Sequence, residues 1–192
     1  MRTLFAFLAL LLPCFSLHAD RVVIVSVPDQ RLALVENGTC IARFPVSTSR
    51  FGLGDRPRSY ATPLGAMSVA GKIGAGSRLG TVFKGGRPTG EVLRPNAPGR
   101  DPIVTRILQL RGLEKRNSAA YSRGIYIHGT TVESRVGRPD SYGCIRMRSR
   151  DVIALFDAVR VGTRVEVLNV PLEQGLWVAR SHANPRLAGS GF

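Results

Sequence analysis

Cysteine and histidine are scarce in this chain, with three of each among 192 residues. Cys14, Cys40 and Cys144 stand far apart, without the Cys-x2-Cys pairing of a structural zinc site, so no metal centre is expected. No apolar run reaches the roughly 20 residues that a membrane-spanning helix needs. Lysine is nearly missing, 3 residues against 24 arginines, and acids are few, 13 against 27 basic residues. The net charge of +14 draws polyanions and carboxylate-rich polymers without choosing among them. An apolar fraction of 44% with 21% charged residues excludes disorder, and the length suits one domain that needs no staples.

What is present begins with an address. Arg2, the uncharged run Leu4–Leu12, the break at Pro13 and the small residue Ala19 before Asp20 have the layout of a secretory signal peptide over 1–19. Pro13 before Cys14 argues against lipidation of that cysteine. Removing the leader takes away Arg2, Cys14 and His18. The exported chain then carries +13, with Cys40 and Cys144 as thiols and His128 and His182 as imidazoles.

Residues 21–27, 31–36 and 39–47 read as strands, the last two joined by the hairpin signal Asn37-Gly38. Strands are also expected at 66–71, 103–110, 125–127 and 163–170. Residues 49–65 and 72–101 read as loops, the second holding seven glycines and three prolines, which suits a lid. One helix is well marked. Ser149 is a candidate cap, Asp151 suits the first turn, and Val152, Leu155, Phe156 and Val159 form an apolar stripe that Gly162 ends. The tail, 171–192, is polar, with Trp177 as a docking candidate. The sequence thus predicts one mainly-β domain over 20–170 with a single firm helix.

Two segments carry chemistry. Cys40 lies between apolar strand residues, where a thiol serves as a small buried hydrophobe. Cys144 follows Gly143, and Arg146, Arg148 and Arg150 stand close by, a setting that favours thiolate. His128 ends an apolar strand sixteen residues earlier, within return distance of the thiol. Spacing alone leaves His128 open as base or structural residue, and offers Asp140 or Glu133 to orient it.

His128-Gly129, eleven residues, and then Ser141-Tyr142-Gly143-Cys144-Ile145-Arg146-Met147 closely resemble the signature of the YkuD-type L,D-transpeptidases, cysteine enzymes of bacterial peptidoglycan. The resemblance runs from about Val22 to Asn169 and includes the turn Thr62-Pro63-Leu64-Gly65. Tyr142 departs from it, standing where many members carry His. The resemblance implies a β-sandwich or barrel-like YkuD fold, with Cys144 as nucleophile, His128 as base and the Gly129 carbonyl orienting the imidazole. It places the oxyanion hole at the amides of Gly143 and Cys144 and lets Ser141 and Tyr142 shape the pocket. Arg146 then either braces the loop or binds a substrate carboxylate.

The implied reaction is attack on the bond between diaminopimelate and D-alanine in a peptidoglycan stem peptide. Transfer to an amine makes 3→3 cross-links; attachment of an envelope lipoprotein and hydrolysis are the alternatives. The resemblance further implies a monomer in the periplasm or cell envelope, no metal or organic cofactor, and β-lactams, carbapenems above all, as covalent inhibitors. A non-catalytic wall-binding protein is a more distant reading. Export, and the lack of a basic helix or stacking-aromatic pattern, argue against nucleic acid as partner.

Overall fold

A computed structural model describes residues 20–183; the expected leader, 1–19, and the end of the tail, 184–192, lie outside the described residues. Ten strands form one sheet: β1 (Arg21–Ser26), β2 (Arg31–Glu36), β3 (Thr39–Pro45), β4 (Gly65–Ile73), β5 (Thr81–Lys84), β6 (Arg87–Val92), β7 (Ile103–Gly112), β8 (Tyr126–Gly129), β9 (Ile145–Met147) and β10 (Arg164–Leu168). Their order is β3-β2-β1-β10-β4-β7-β5-β6, with β8 on β7 and β9 on β8. Just past β3, Ser47 exchanges both backbone hydrogen bonds with Arg146 of β9, at 2.9 Å each. That contact brings the two ends of the sheet together, and the result is barrel-like.

Alternation explains the core. Val23 and Val25 of β1, Leu32 and Leu34 of β2, Met67 and Val69 of β4, and Leu108 and Leu110 of β7 all point inward. Helix α1 (Ser149–Ala158) closes the interior with Val152, Leu155 and Phe156, the stripe read from the sequence. Its cap differs from expectation. Ser149 is the first helical residue, and its amide is held at 2.7 Å by a Glu133 carboxylate oxygen. A carboxylate at this end also suits the helix dipole.

Three further readings are corrected. Residues 72–101 are not a single loop: they complete β4 and then form the β5–β6 hairpin, turned at Gly85-Gly86 where both φ values are positive. Glycine content hid a turn that only glycine makes easily. Strand β9, which starts at the residue after the Cys144 bend, is missing from the sequence reading, because it is too short for periodicity to show. The tail forms a second helix, α2 (Leu172–Ala183), entered where Asp29 accepts the Leu172 amide at 2.7 Å. Leu172 and Leu176 pack on Ile24, Ala33 and Val35, the outward side chains of β1 and β2. Burial on both faces accounts for the unbroken Val-Val-Ile-Val run of β1. Trp177, the docking candidate, stays 58% exposed. Cys40 lies beside this second cluster and Cys144 elsewhere, and both thiols are free.

Candidate active site

Strands β8 and β9 pair in parallel, with Ile127 opposite Ile145, His128 opposite Arg146 and Gly129 opposite Met147. Ile127, Ile145 and Met147 point into the core. Strand alternation therefore sends His128 and Arg146 to the other face, and Cys144 sits in the bend that leads into β9. One local pairing thus brings the segments that carry the thiol and the imidazole side by side.

His128 is buried, and its Nδ1 lies 2.8 Å from the Gly129 carbonyl oxygen. A carbonyl only accepts, so Nδ1 carries the proton and Nε2 keeps its lone pair. Burial pushes the imidazole pKa down to about 4, and the Arg146 charge adds to that; the Gly129 carbonyl and Asp101 oppose it. The imidazole is therefore neutral at pH 7. The strand expected to end at His128 runs on through Gly129, which lies opposite Val104. A Cβ there would sit 2.6 Å from the Val104 carbonyl oxygen, so glycine is required by close approach of the backbone.

The Cys144 thiol donates to the Gly124 carbonyl at 3.3 Å. Burial pushes its pKa up, against the Tyr126 backbone amide and the charges of Arg146 and Arg123, which pull it down. The expectation of a thiolate held by Arg146, Arg148 and Arg150 is corrected accordingly: desolvation outweighs the cations, and the resting pair is thiol and neutral imidazole.

Gly143 has φ +112°, a left-handed conformation, and a Cβ there would press within 3.1 Å of the Ala61 carbonyl oxygen. Its amide donates to Ser141 Oγ at 3.2 Å, so at rest this donor already has a partner. Ser141 is fully buried and donates to the Cys144 carbonyl at 2.6 Å, bracing the turn from inside. Tyr142 is half-exposed at the mouth. Arg146 lies 3.0 Å from Asp101 and 3.2 Å from Asp140, contacts that favour bracing of the loop over capture of a substrate carboxylate. Neither carboxylate weighed as an orienter holds His128: Asp140 pairs with Arg146 and Glu133 with the α1 amide.

A cavity of about 530 Å³ opens beside Cys144. Its walls are Pro57–Tyr60 on one side and Ala119 with Ser122–Ile125 on the other; Tyr142 and Cys144 complete it. No residue of 72–101 lines it, so the lid expected there is not over this cavity. The two walls are stitched by the buried pair Arg123–Asp55 at 2.7 Å. Arg123 also donates to the carbonyls of Gly54, Ser59 and Ala61. Asp101, Asp55, Arg123 and Thr62, whose hydroxyl holds the Gly143 carbonyl at 3.0 Å, escaped the sequence reading. Each sits in an aperiodic Gly/Pro/Arg-rich or short-turn segment, and its partners are remote in sequence. Only Thr62 left a trace, within the Thr-Pro-Leu-Gly turn.

A closed, mainly-β sheet with a histidine on one strand and a cysteine in the turn before its neighbour defines the class: a β-barrel-like domain with a candidate Cys–His site. The chain belongs to the L,D-transpeptidase family, whose YkuD catalytic-domain model matches residues 20–167. It is 54% identical over 149 residues to "Putative L,D-transpeptidase YqjB" of Bacillus subtilis (strain 168), covering 78% of this chain and 72% of that one. To "Probable L,D-transpeptidase ErfK/SrfK" of Escherichia coli (strain K12) it is 45% identical over 56 residues, 29% of this chain and 18% of the relative. The match thus spans less than a fifth of that longer protein. Among solved structures, L,D-transpeptidase 3 from Mycobacterium tuberculosis, in complex with a faropenem-derived adduct, aligns with a TM-score of 0.50. Identity there is 19%, over 78% of this chain and 60% of that one, a likeness of fold.

Proposed function

We propose that the protein is an exported peptidoglycan L,D-transpeptidase acting in the periplasm or cell envelope through Cys144. The observation that supports this reading is the β8–β9 pairing, which sets the turn carrying Cys144 beside the strand of a neutral His128 whose Nδ1 is engaged by Gly129. As the thiol attacks the carbonyl of diaminopimelate in a donor stem peptide, its proton passes to His128 Nε2. The tetrahedral adduct collapses, the carbon–nitrogen bond breaks, and D-alanine leaves with that proton. The thioester then meets the side-chain amine of a second diaminopimelate. His128 takes the amine's proton, the new amide forms, and the thiol is restored. The amides of Gly143 and Cys144 are the proposed oxyanion donors, Gly143 turning from Ser141 Oγ as charge develops; such a donor is worth about 3–4 kcal/mol. β-Lactams, carbapenems among them, acylate the same sulfur. The faropenem adduct of the Mycobacterium tuberculosis neighbour supports that expectation.

The test uses reduced residues 20–192 and a tetrapeptide donor with diaminopimelate at position three, followed by mass spectrometry. Release of D-alanine with a cross-linked dimer, lost in Cys144→Ala, is the expected result. Tripeptide alone makes the enzyme a hydrolase, or one that awaits another acceptor such as a lipoprotein. No release with the thiol confirmed free, or release that persists in Cys144→Ala, overturns the proposal.

A further inference from the structure

Three aromatic side chains, two from the 49–65 segment and one from the turn before β9, meet at the rim of the Cys144 cavity. Phe51, Tyr60 and Tyr142 are 51%, 57% and 50% exposed, and their ring centroids lie 5.2–5.5 Å apart pairwise. Arg50 stacks on Phe51 at 5.0 Å and on Tyr142 at 4.6 Å, and it donates to the Tyr142 hydroxyl. Tyr60 and Tyr142 also line the cavity itself.

The platform is held from below. Ser49 Oγ accepts the Phe51 amide at 2.9 Å and donates to the Tyr60 carbonyl at 2.5 Å. The Ser49 amide is fixed by the Thr62 hydroxyl at 2.9 Å, and Ser49 bridges Ser141 in the catalytic turn. The ring and guanidinium contacts steady the cluster itself, and three large rings left half-exposed beside a cavity suit a contact with another molecule.

The occupant follows from what the substrate class offers. Stem-peptide side chains are methyls, carboxylates and an amine, none with a flat apolar face. The sugar that bears the stem has one, because the axial C–H groups of a pyranose lie together on a ring face and its hydroxyls point outward. Such a ring fits an amphipathic aromatic surface flanked by a guanidinium. Reach agrees. Three residues separate the sugar from the scissile carbonyl, about 10 Å when extended, and Tyr142 is two residues from Cys144.

We infer that Phe51, Tyr60 and Tyr142 form a subsite that stacks on the amino-sugar ring attached to the donor stem peptide. The inference rests on the peptidoglycan reading above and names the part of the substrate recognised beyond the peptide. The enzyme is thereby tuned to stems still joined to glycan, over free peptide.

The test compares KM for D-alanine release from a disaccharide-tetrapeptide and from the sugar-free tetrapeptide, a step that reports on the donor alone. About a tenfold lower KM for the disaccharide donor is expected in the wild type. Phe51→Leu, which keeps apolar bulk and loses the flat ring, brings the ratio close to one, and Phe51→Trp preserves it. Thermal unfolding of both variants checks that the fold is intact. Equal KM values in the wild type, or an unchanged ratio in Phe51→Leu, overturn the subsite while leaving the transpeptidase reading in place. Failure to consume either donor takes down both. An advantage seen only when the sugar is on the acceptor also overturns the assignment.

Discussion

His128 joins structure to chemistry through its proton. Burial holds the folded imidazole at about 4, whereas an unfolded histidine titrates near 6.5. Between those values the unfolded chain binds a proton that the folded chain refuses. The contribution to stability is therefore complete above about pH 6.5 and is lost as pH falls toward 4, by about 3 kcal/mol in total. Urea unfolding at pH 7.5 and 5.0 reads it: about 2 kcal/mol lost in the wild type, and a much smaller loss in His128→Gln. Equal losses in both proteins defeat the assignment. Behind this residue the backbone is strained. Thr105, β-branched and fully buried, has φ +72° at the irregularity where β7 meets β8. Its hydroxyl donates to Ser149 Oγ at 2.9 Å and accepts the Gly80 amide at 3.0 Å, contacts that hold the bulge beside His128 and Gly129. No local pattern in Val-Thr-Arg announces it.

At the scale of elements, two short pieces matter more than their length suggests. Strand β9 has three residues, yet it anchors the Ser141–Cys144 turn and closes the sheet through Ser47. Helix α2 covers the outer face of β1 and β2 with Leu172 and Leu176, both nearly inaccessible. Leu176→Ala is expected to lower unfolding stability by about 2–4 kcal/mol, as large-to-small changes at packed sites do. Leu176 is remote from the cavity walls, so kcat for D-alanine release is expected to stay at the wild-type value. Urea denaturation and donor kinetics on the same protein check both halves, and a variant as stable as the wild type removes α2 from the list of structural supports. Strands β1 to β3, the Asn37-Gly38 hairpin and α1 were legible because their signals are local: β-branched density, a positive-φ dipeptide, a 3.6-residue stripe. The β5–β6 hairpin was not, since its glycines and prolines look the same in a turn and in a long loop.

For the whole molecule the governing quantity is charge. The chain carries a net +14, with 24 of its 27 basic residues arginine, and the walls of the cavity include Arg58. If the substrate is the carboxylate-rich wall polymer, the field concentrates the enzyme on it, and salt screens the effect beyond about 10 Å at 0.1 M. Cosedimentation with isolated sacculi is expected to weaken several-fold between 50 mM and 500 mM salt, in Cys144→Ala as in the wild type. Retention independent of salt shows that charge plays no part. The buried ions serve a different end: Arg123–Asp55 and Arg146 with Asp101 and Asp140 tie loops together around the site, and their charge is spent inside the protein.

The sequence by itself determined the class of fold, the His128-Gly129 and Ser141–Met147 signature, and the family these residues resemble. Those properties are local or contiguous, and adjacent residues express them without reference to the rest of the chain. Tertiary structure decided the protonation states, the carboxylates that restrain Arg146, the walls of the cavity and the aromatic platform. Each depends on burial or on groups far apart in the chain: Asp55 meets Arg123, Thr62 meets Gly143, and Phe51 meets Tyr142. The cationic turn pointed to a thiolate, and desolvation reversed the sign, because the cost of burying charge is set by the surroundings in space and not by neighbours in sequence.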